Sequence, residues 1–322
     1  MRYPMCASVN TTILESVPLS PKLSQELPEK GNTCAIVVTY EPDDGIASRI
    51  GLIKGQVARV IVVDNGSERV EVLKSIATDG ITFIRNTQNQ GIAKALNQGM
   101  LRAMEEGFTW VLLLDQDTIP SAEMVQKIGD VYSQHPSKEK LAMIGCNPFP
   151  ENTDVSGLSW KSVKMVITSG TLLALRAARV IGPFRDELFI DCVDFEYCIR
   201  ARLVGFEIVE LLSPVMKHFI GVAKEVPFRW SKAKSSNHRP WRWYYVVRNM
   251  VFLTVEYGVK DWDFVLPTLY ARVKALLLTL LLDDSRLLRT KFIVLGLLDG
   301  LSGRFDRQIA PGQANAVTVR AS

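Results

Sequence analysis

Short apolar runs alternate with amphipathic segments from Thr33 onward, and each kind of segment predicts a different element. Four runs are predicted β-strands: "CAIVVTY" (34–40), part of "VARVIVVDNGS" (57–67), "GITFIRN" (80–86) and "FTWVLLLDQD" (108–117). Between the last two strands, the apolar residues recur at helical spacing instead. They are Ile92, Leu96, Met100 and Met104. The order predicts an α/β fold with a mostly parallel sheet flanked by helices.

The same pattern continues toward the C-terminus. It predicts helices from Pro120 to about His135 and over 191–205. Further strands are predicted in "LAMIGCN" (141–147), "KMVITSGTLLAL" (164–175), "FEIVELL" (206–212) and "PVMKHFIG" (214–221). From Trp241 the pattern is helical throughout. The predicted organisation is a leader of residues 1–32, an α/β domain of residues 33–240 and a helical region of residues 241–322.

Composition narrows the class of protein. Of the 322 residues 47% are hydrophobic, which is enough for a large core, and a net charge of +4 does not by itself indicate nucleic-acid binding. Five scattered cysteines favour reduced thiols in a cytoplasmic protein, and residues 1–32 lack the apolar stretch of a signal peptide. Pro267, Arg272 and Lys274 interrupt the most apolar segment, so we expect no spanning helix there but one half-buried in protein or lying in a membrane interface.

Three predicted strands end in polar residues, namely "TYEPDD", "DNGS" and "DQD". The remaining strand runs into "NTQNQG" (86–91), where Gly91 lets the backbone approach a ligand closely. Ligands of open parallel sheets bind outside the carboxyl ends of the strands. The pattern therefore predicts a polar ligand at one edge of the sheet.

Asp115 and Asp117 project to the same side of an extended chain, because side chains alternate along a strand. Two such carboxylates repel each other unless a divalent cation carrying a diphosphate lies between them, and Mg²⁺ or Mn²⁺ prefers these ligands. His218 would supply a further ligand or contact the phosphate. The alternative is an Asx turn before Pro120 in which Asp117 or Thr118 caps the next helix, with His218 an ordinary residue.

A second group of acids lies in "LFIDCVDFEYCIRARLVG" (188–205), where Asp191, Asp194 and Glu196 alternate with apolar residues. Apolar surroundings move the pKa of a carboxyl group toward neutrality, as a general base requires. Asp194 is the candidate base and Asp191 the second choice. The alternative is structural, because acids stabilise a helix N-terminus and Asp191 can serve as its N-cap.

Between Lys217 and Arg248, eight lysines and arginines accompany the single acid Glu225 and alternate with tryptophans and tyrosines. This mixture is typical of nucleic-acid binding, and also of a surface that meets a phosphate-bearing acceptor at a membrane. The alternative is a mobile charged loop over 222–240 followed by a core helix over 241–258.

Taken in order, these motifs resemble family 2 glycosyltransferases with the GT-A fold. They are "VVTYEPD", "VIVVDNGS", "NQGIAKALNQG", "LLLDQDT" and "FIDCVDFEYCIRARLVGFEI". Within that family, "KHFIG", "YYVVRNMVFL" and "GLLDGLSGRF" resemble bacterial rhamnosyltransferases that build O-antigen and related surface polysaccharides. The resemblance extends over residues 33–306.

The resemblance implies a set of site residues. For the nucleotide sugar they are Thr39, Tyr40, Glu41, Asp64, Asn89, Gly91, Asn97, Asp115 and Arg248. It assigns Asp115 and Asp117 to the metal-binding DxD motif, with Asp117 as the direct ligand. Asp194 matches the catalytic base. In the family another acid usually precedes this base, but here the preceding residue is Val193. Asp191 therefore remains the alternative candidate for the base.

The resemblance also implies a reaction. Asp194 would deprotonate an acceptor hydroxyl, which displaces the nucleoside diphosphate with inversion while Mg²⁺ or Mn²⁺ neutralises the leaving group. The implied donor is dTDP-L-rhamnose and the implied acceptor a lipid-diphosphate-linked glycan, met by a cytoplasmic enzyme peripheral on the inner face of the cell membrane. The helices after Asp261 would form a homodimer interface or a membrane-facing side. No nucleic acid is expected as a partner.

Three alternatives are open at this point. The first keeps the fold but changes the donor to a UDP-sugar, for transfer of galactofuranose, glucose or an aminosugar. The second is a nucleotidyltransferase, although such enzymes usually have a basic, glycine-rich loop where this chain has "TYEPDDG". The third is a non-catalytic binder of nucleic acid or of a membrane surface.

Overall fold

The computed structural model describes residues 26–148, 159–218, 224–228, 231–235, 239–282 and 285–309. The chain divides into two compact units. The first comprises Met1–Phe189 and Val193–His218, and the second comprises Ile190–Cys192 and Phe219–Ser322. Most of the predicted leader lies outside the described residues.

An eight-stranded sheet forms the centre of the first unit. Its strands are β1 (Thr33–Thr39), β2 (Arg59–Asp64), β3 (Ile81–Arg85), β4 (Trp110–Asp115), β6 (Leu141–Cys146), β7 (Trp160–Ser162), β8 (Thr171–Ala174) and β9 (Glu207–Leu211). Their spatial order is β3-β2-β1-β4-β8-β6-β9-β7. Strands β1 to β4 are parallel, as are β6 and β9, whereas β8 is antiparallel to both of its neighbours. The predicted α/β fold with a mostly parallel sheet is confirmed.

Helices connect the strands of the first unit. They are α1 (Ile46–Lys54), α2 (Val70–Ile76), α3 (Ile92–Glu105), α4 (Met124–Gln134), α5 (Leu175–Ile181) and α6 (Val193–Leu203). In α3, Leu96, Met100 and Met104 are buried, as their spacing predicts. A Cβ at Gly99 would overlap the side chain of Ile36 in β1, so glycine lets α3 pack directly on the sheet.

Two predicted strands are shorter than expected. The segment 164–175 is extended only at Thr171–Ala174, because Gly170, with φ of +80°, turns the chain before β8 and α5 begins directly after it. The segment 214–221 contains only β10 (Met216–Lys217) among its described residues. Strand β10 pairs antiparallel with β5 (Ile119–Pro120) in a separate two-stranded ladder.

The second unit contains the hairpin of β11 (Lys224–Phe228) and β12 (Ser231–Ser235), followed by helices α7 (Arg242–Tyr257), α8 (Trp262–Leu282) and α9 (Arg286–Ser302). The alternative of a mobile loop over 222–240 is wrong for the residues that form this hairpin. Two residues of the same segment, Trp230 and His238, lie outside the described residues. The predicted core helix is confirmed as α7, which buries Trp243, Tyr244 and Tyr245.

One helix has the length and composition of a candidate membrane span, although the sequence analysis expected no spanning helix there. Trp262–Leu281 of α8 is long and apolar enough by length and composition, with a mean hydropathy of 1.6, although two basic residues interrupt it. Only 11% of its most apolar window is buried. In the described part of the chain this is the one helix with these properties.

The four described cysteines, Cys34, Cys146, Cys192 and Cys198, are buried and in the thiol form, as expected for reduced cysteines. Burial raises the pKa of the Cys34 and Cys198 thiols to about 12. These two thiols are therefore protonated at neutral pH and are poor nucleophiles.

Candidate active site at the carboxyl edge of the sheet

The carboxyl ends of β1, β2, β3 and β4 meet at one edge of the sheet, as their polar endings predict. Thr39 pairs with Asp64, Asp64 pairs with Arg85, and Asp115 pairs with Val38. Candidate residues from four separate segments of the chain therefore share the edge at which parallel sheets bind ligands.

Asp64 holds two of the loops at this edge together. Its buried carboxylate accepts hydrogen bonds from Thr39 Oγ1 (3.1 Å), Ser67 Oγ (2.5 Å) and the Ser67 backbone N–H (3.0 Å). Ser67 Oγ in turn accepts a bond from the backbone N–H of Glu41 (2.8 Å), whose φ is +47°. Thr39, Glu41 and Asp64, all predicted nucleotide-site residues, thus form one hydrogen-bonded cluster with Ser67.

Asn65 organises the loop that contains Gly91, and the sequence analysis missed it. Its side-chain NH₂ donates to Asn89 Oδ1 (3.0 Å) and to the Gly91 carbonyl (3.1 Å), and its Oδ1 accepts from the Gln90 N–H (3.0 Å). Gly91 has φ of +86°, and a Cβ there would come within 2.7 Å of the Phe189 backbone, so the loop requires glycine. The signal for Asn65 was its place directly after β2.

Gln116, between the two aspartates, binds the end of β1. Its Nε2 donates to the Tyr40 carbonyl (3.1 Å) and its Oε1 accepts from the Tyr40 N–H (2.8 Å). Asp115 and Asp117 both approach His218 instead. The alternation of side chains therefore places the two aspartates together, as predicted, while the residue between them fixes Tyr40.

The short ladder of β5 and β10 brings His218 to the DxD motif. Lys217 pairs with Ile119, so the residue after β10 lies beside the residues before β5. His218 Nδ1 is 3.5 Å from Asp117 Oδ1, and His218 Nε2 is 3.9 Å from Asp115 Oδ2. The predicted set of Asp115, Asp117 and His218 is thus a single cluster.

This cluster has the chemistry of a divalent metal site. One ligand atom from each of Asp115, Asp117 and His218 lies within 4.8 Å of the others. Ligands at about 2.1 Å from a shared ion lie roughly 3–4 Å apart, so small rotations suffice to bind one cation. Two carboxylates and an imidazole are donors that Mg²⁺ or Mn²⁺ accepts.

Thr118 and Ser169 support the cluster, and sequence reasoning missed both roles. Thr118 Oγ1 lies 2.9 Å from His218 Nδ1 and 2.5 Å from Ser169 Oγ, and Ser169 Oγ accepts from the Asp115 N–H (3.0 Å). The alternative in which Asp117 or Thr118 caps the next helix is wrong, because α4 begins at Met124 with Glu123 in the N-cap position.

Asp194 lies in the first turn of α6 and is partly exposed, and its Oδ1 accepts the Phe195 N–H (2.9 Å). Glu196, in the same turn, is fully buried. It accepts from Arg185 Nε (2.9 Å) and from Arg200 Nε and Nη2 (2.7 and 2.8 Å). Arg200 also donates to the carbonyls of residues 181 and 183, so this network fixes α6 to the preceding loop.

Asp191 belongs to the second unit, where Arg242 binds both of its carboxylate oxygens at 2.8 and 2.9 Å. Asn249 donates to the carbonyls of Ile190 and Asp191 (2.9 and 2.8 Å). The expectation that Asp191 is an N-cap is wrong, because its φ is +65° and α6 begins two residues later.

Two other predicted nucleotide-site residues make internal contacts. Arg248 is fully buried, with its guanidinium 4.9 Å from the ring centroids of both Tyr245 and Phe305. Asn97 donates to the Phe184 carbonyl and to Asp186 Oδ1, and its own oxygen accepts the Phe184 N–H. Burial raises the pKa of Asp186, and the bond from Asn97 opposes that shift. These contacts favour structural roles for Arg248 and Asn97.

Comparisons with known proteins identify a similar family, a similar sequence and a similar structure. Residues 34–138 match the model of glycosyl transferase family 2. The dTDP-rhamnosyl transferase RfbF of Shigella flexneri is 28% identical over 238 residues, which are 69% of this chain and 79% of that protein. The crystal structure of GalNAc-T7 with UDP, GalNAc and Mn²⁺ has a TM-score of 0.51, is 11% identical, and is matched over 84% of this chain and 56% of its own.

At that identity the crystal structure shows the fold alone, and this fold is GT-A. The family model covers β1 to α4, which carry the strand ends and the DxD motif described above. The matched rhamnosyl transferase extends the similarity to more than two thirds of the chain. Residues 34–138 therefore match a family 2 glycosyltransferase domain, and the chain is a glycosyltransferase similar to a dTDP-rhamnosyl transferase.

Proposed function

We propose that this glycosyltransferase moves L-rhamnose from dTDP-L-rhamnose, with inversion, onto a lipid-diphosphate-linked glycan in the synthesis of a cell-surface polysaccharide such as O-antigen. The observation that carries the proposal is the cluster of Asp115, Asp117 and His218 at the carboxyl edge of the sheet. The similarity to a dTDP-rhamnosyl transferase supports the choice of donor. Because the chain is a glycosyltransferase, the non-catalytic alternative is set aside.

The residues at the edge have separable roles in this proposal. Asp117 and Asp115 would bind Mg²⁺ or Mn²⁺, which would offset charge on the leaving diphosphate. Tyr40, Glu41, Asn89 and Gly91, with Thr39 and Asp64 behind them, would hold the nucleotide and its sugar.

Asp194 would take the proton from the acceptor hydroxyl, so that this oxygen can attack the anomeric carbon from the face opposite the nucleotide. Arg242 binds both carboxylate oxygens of Asp191, which fixes this carboxylate in an ion pair with an arginine of its own unit. We therefore assign the base to Asp194. Inversion needs a single displacement and no covalent intermediate on the enzyme.

The donor is tested by calorimetric titration of the purified chain with dTDP and with UDP, each with and without Mn²⁺ or Mg²⁺. We expect metal-dependent binding of dTDP in preference to UDP, and we expect Asp117→Ala to abolish the metal-dependent part because the carboxylate that shares the cation is gone. Asp130→Ala, an exposed carboxylate on α4, is the matched control and should bind like wild type.

Each other outcome of this titration has a defined meaning. Preference for UDP keeps the glycosyltransferase and replaces rhamnose by a UDP-linked sugar such as galactofuranose, glucose or an aminosugar. If nucleotide binding does not depend on the metal ion, or if Asp117→Ala leaves this binding unchanged, the proposed metal site is contradicted.

We also propose that α8 contacts the inner face of the membrane, where a lipid-linked acceptor would be met. Its exposed large hydrophobic residues form a single stripe, here called the α8 stripe. They are Trp262, Leu266, Tyr270, Val273, Leu277 and Leu281. At about 100° per residue they fall within an arc of roughly 100°. Lys274 is exposed next to the stripe and can reach anionic headgroups while its stem stays in apolar surroundings.

The spacing of the α8 stripe argues for lipid over a second helix. Its steps are four, four, three, four and four residues, whereas the seam of a helical pair alternates steps of three and four. The stripe therefore winds around the helix, and a straight partner helix would leave part of it uncovered. A fluid apolar phase covers the whole arc.

We expect the chain to cosediment with phosphatidylglycerol vesicles. The double variant Trp262→Ser/Leu277→Ser should bind the vesicles more weakly, by about tenfold for each substitution. The reason is that burial of one such apolar side chain contributes about 1.5 kcal/mol. Val180→Ser removes an exposed apolar residue of α5 and serves as the control, with binding unchanged. Sedimentation velocity distinguishes the rival: a dimer that the two substitutions dissociate, without any binding to vesicles, would assign the α8 stripe to a homodimer interface.

A further inference from the structure

Two hydroxyl groups join His218 to the backbone of the DxD motif. Starting from His218 Nδ1, the contacts run to Thr118 Oγ1 at 2.9 Å, then to Ser169 Oγ at 2.5 Å, and then to the Asp115 N–H at 3.0 Å. Thr118 and Ser169 are 3% and 1% exposed, so water does not compete for these contacts. An unbroken series of hydrogen bonds thus links one candidate metal ligand to another.

We infer that Thr118 and Ser169 are positioning residues that set the orientation and the tautomer of His218 for metal binding. The inference rests on the proposed metal site and adds two residues that act through His218. Their hydroxyl groups would hold the ring proton on Nδ1, so that Nε2 presents a lone pair toward Asp115.

The argument follows from the donors and acceptors of a neutral imidazole. Such a ring has one N–H and one lone pair, and only the lone pair can bind a cation. Thr118 Oγ1 is within hydrogen-bond distance of Nδ1, which is also 3.5 Å from Asp117 Oδ1, whereas Nε2 faces Asp115 Oδ2 at 3.9 Å. With Nδ1–H donating to Thr118, the Thr118 hydroxyl donates to Ser169. A ring oriented by a bond from its other nitrogen is a better metal ligand.

The backbone keeps these groups in place. His218 directly follows β10, whose first residue is Met216, and a Cβ at Gly170 would overlap the Met216 sulfur. Glycine at this position therefore lets the turn that contains Ser169 pack against β10. The pairing of Lys217 with Ile119 adds a backbone connection next to Thr118. Ser169, Thr118 and His218 are thus fixed by three different segments of the chain.

The test is the affinity for Mn²⁺, measured from the electron paramagnetic resonance of the free ion in the presence of dTDP. We expect Thr118→Val to lower this affinity about 10-fold to 100-fold, the usual effect of removing a group that orients a ligand. Thr118→Ser restores the hydroxyl and should restore the affinity. Thr109→Val, at the other end of β4, removes a hydroxyl bonded to the Asn32 carbonyl and should leave the affinity unchanged.

A spectroscopic measurement separates positioning from a general loss of structure. The chain has three histidines, so ¹⁵N signals can be assigned with His218→Gln, and Mg²⁺ with dTDP gives a diamagnetic complex. We expect Nδ1 of His218 to carry the proton in the wild-type complex and to lose this preference in Thr118→Val.

If Thr118→Val binds Mn²⁺ as tightly as the wild type, or if Nε2 carries the proton in the wild-type complex, this inference is overturned. The proposed metal site would still stand. If Asp117→Ala binds Mn²⁺ as tightly as the wild type, the metal site fails and this inference fails with it.

Discussion

Asp194→Asn is expected to lower kcat by about 10²-fold to 10⁴-fold, which is the usual contribution of a general base. Asparagine keeps the size of the side chain and can still accept the Phe195 N–H, but it cannot take a proton from the acceptor hydroxyl. Binding of the nucleoside diphosphate should not change, because Asp194 lies on α6 and outside the Asp115, Asp117 and His218 cluster. Transfer is measured by release of the nucleoside diphosphate, and binding by calorimetry.

Asp191→Asn is the comparison that decides between the two acids. Asp191 is bound by Arg242, so its replacement should affect the second unit's packing more than the proton transfer itself. Near-normal kcat in Asp194→Asn would show the base assignment to be wrong. A large loss in Asp191→Asn with intact nucleotide binding would then transfer the role to Asp191.

Glu196→Leu is expected to destabilise the first unit by about 3 kcal/mol, because it leaves two arginines without their shared carboxylate. Glu196 is 1% exposed and accepts three hydrogen bonds, while Arg200 and Arg185 are 18% and 35% exposed. Partial access of water to both arginines places the expected loss at the lower end of the range for broken buried pairs. In a unit of this size it corresponds to a fall of roughly 6–12 °C in Tm.

Glu123→Leu provides the matched control, since Glu123 also pairs with a base four residues later, but at the surface. Such exposed pairs contribute less than about 0.5 kcal/mol. Thermal unfolding followed by circular dichroism compares the two variants. A fall in Tm for Glu196→Leu no larger than that for Glu123→Leu would contradict a structural role for the buried network.

The sequence predicted the elements whose side-chain pattern is local. The apolar runs of β1, β2 and β4 and the helical spacing of α3 each depend on residues within one segment. The segment 164–175 misled because it is rich in apolar and β-branched residues, while its extended part is limited by a glycine turn and by the start of α5. The hairpin of β11 and β12 was missed because lysines and serines obscure any alternation.

The residues of the candidate site also differ in whether local sequence could predict them. The two aspartates were predictable, because a strand that ends in two acids one residue apart needs an explanation. His218 was a candidate by its chemistry, but its place beside the aspartates depends on β5 and β10, each only two residues long. Thr118 and Ser169 gave no signal, because their contacts exist only after that pairing. Glu196 was grouped with Asp191 and Asp194, since nothing local showed that two arginines would reach it.

The ladder of β5 and β10 also has a consequence for the order of folding. Thr118 and His218 are 100 residues apart in sequence, and the strands β6, β8 and β9 are formed by residues between them. Closing so long a loop costs entropy before the two-residue ladder returns any contact energy, so this pairing should form late. On a ribosome the aspartates would emerge long before the histidine, and the chain would acquire its complete metal site only after that part of the sheet had formed.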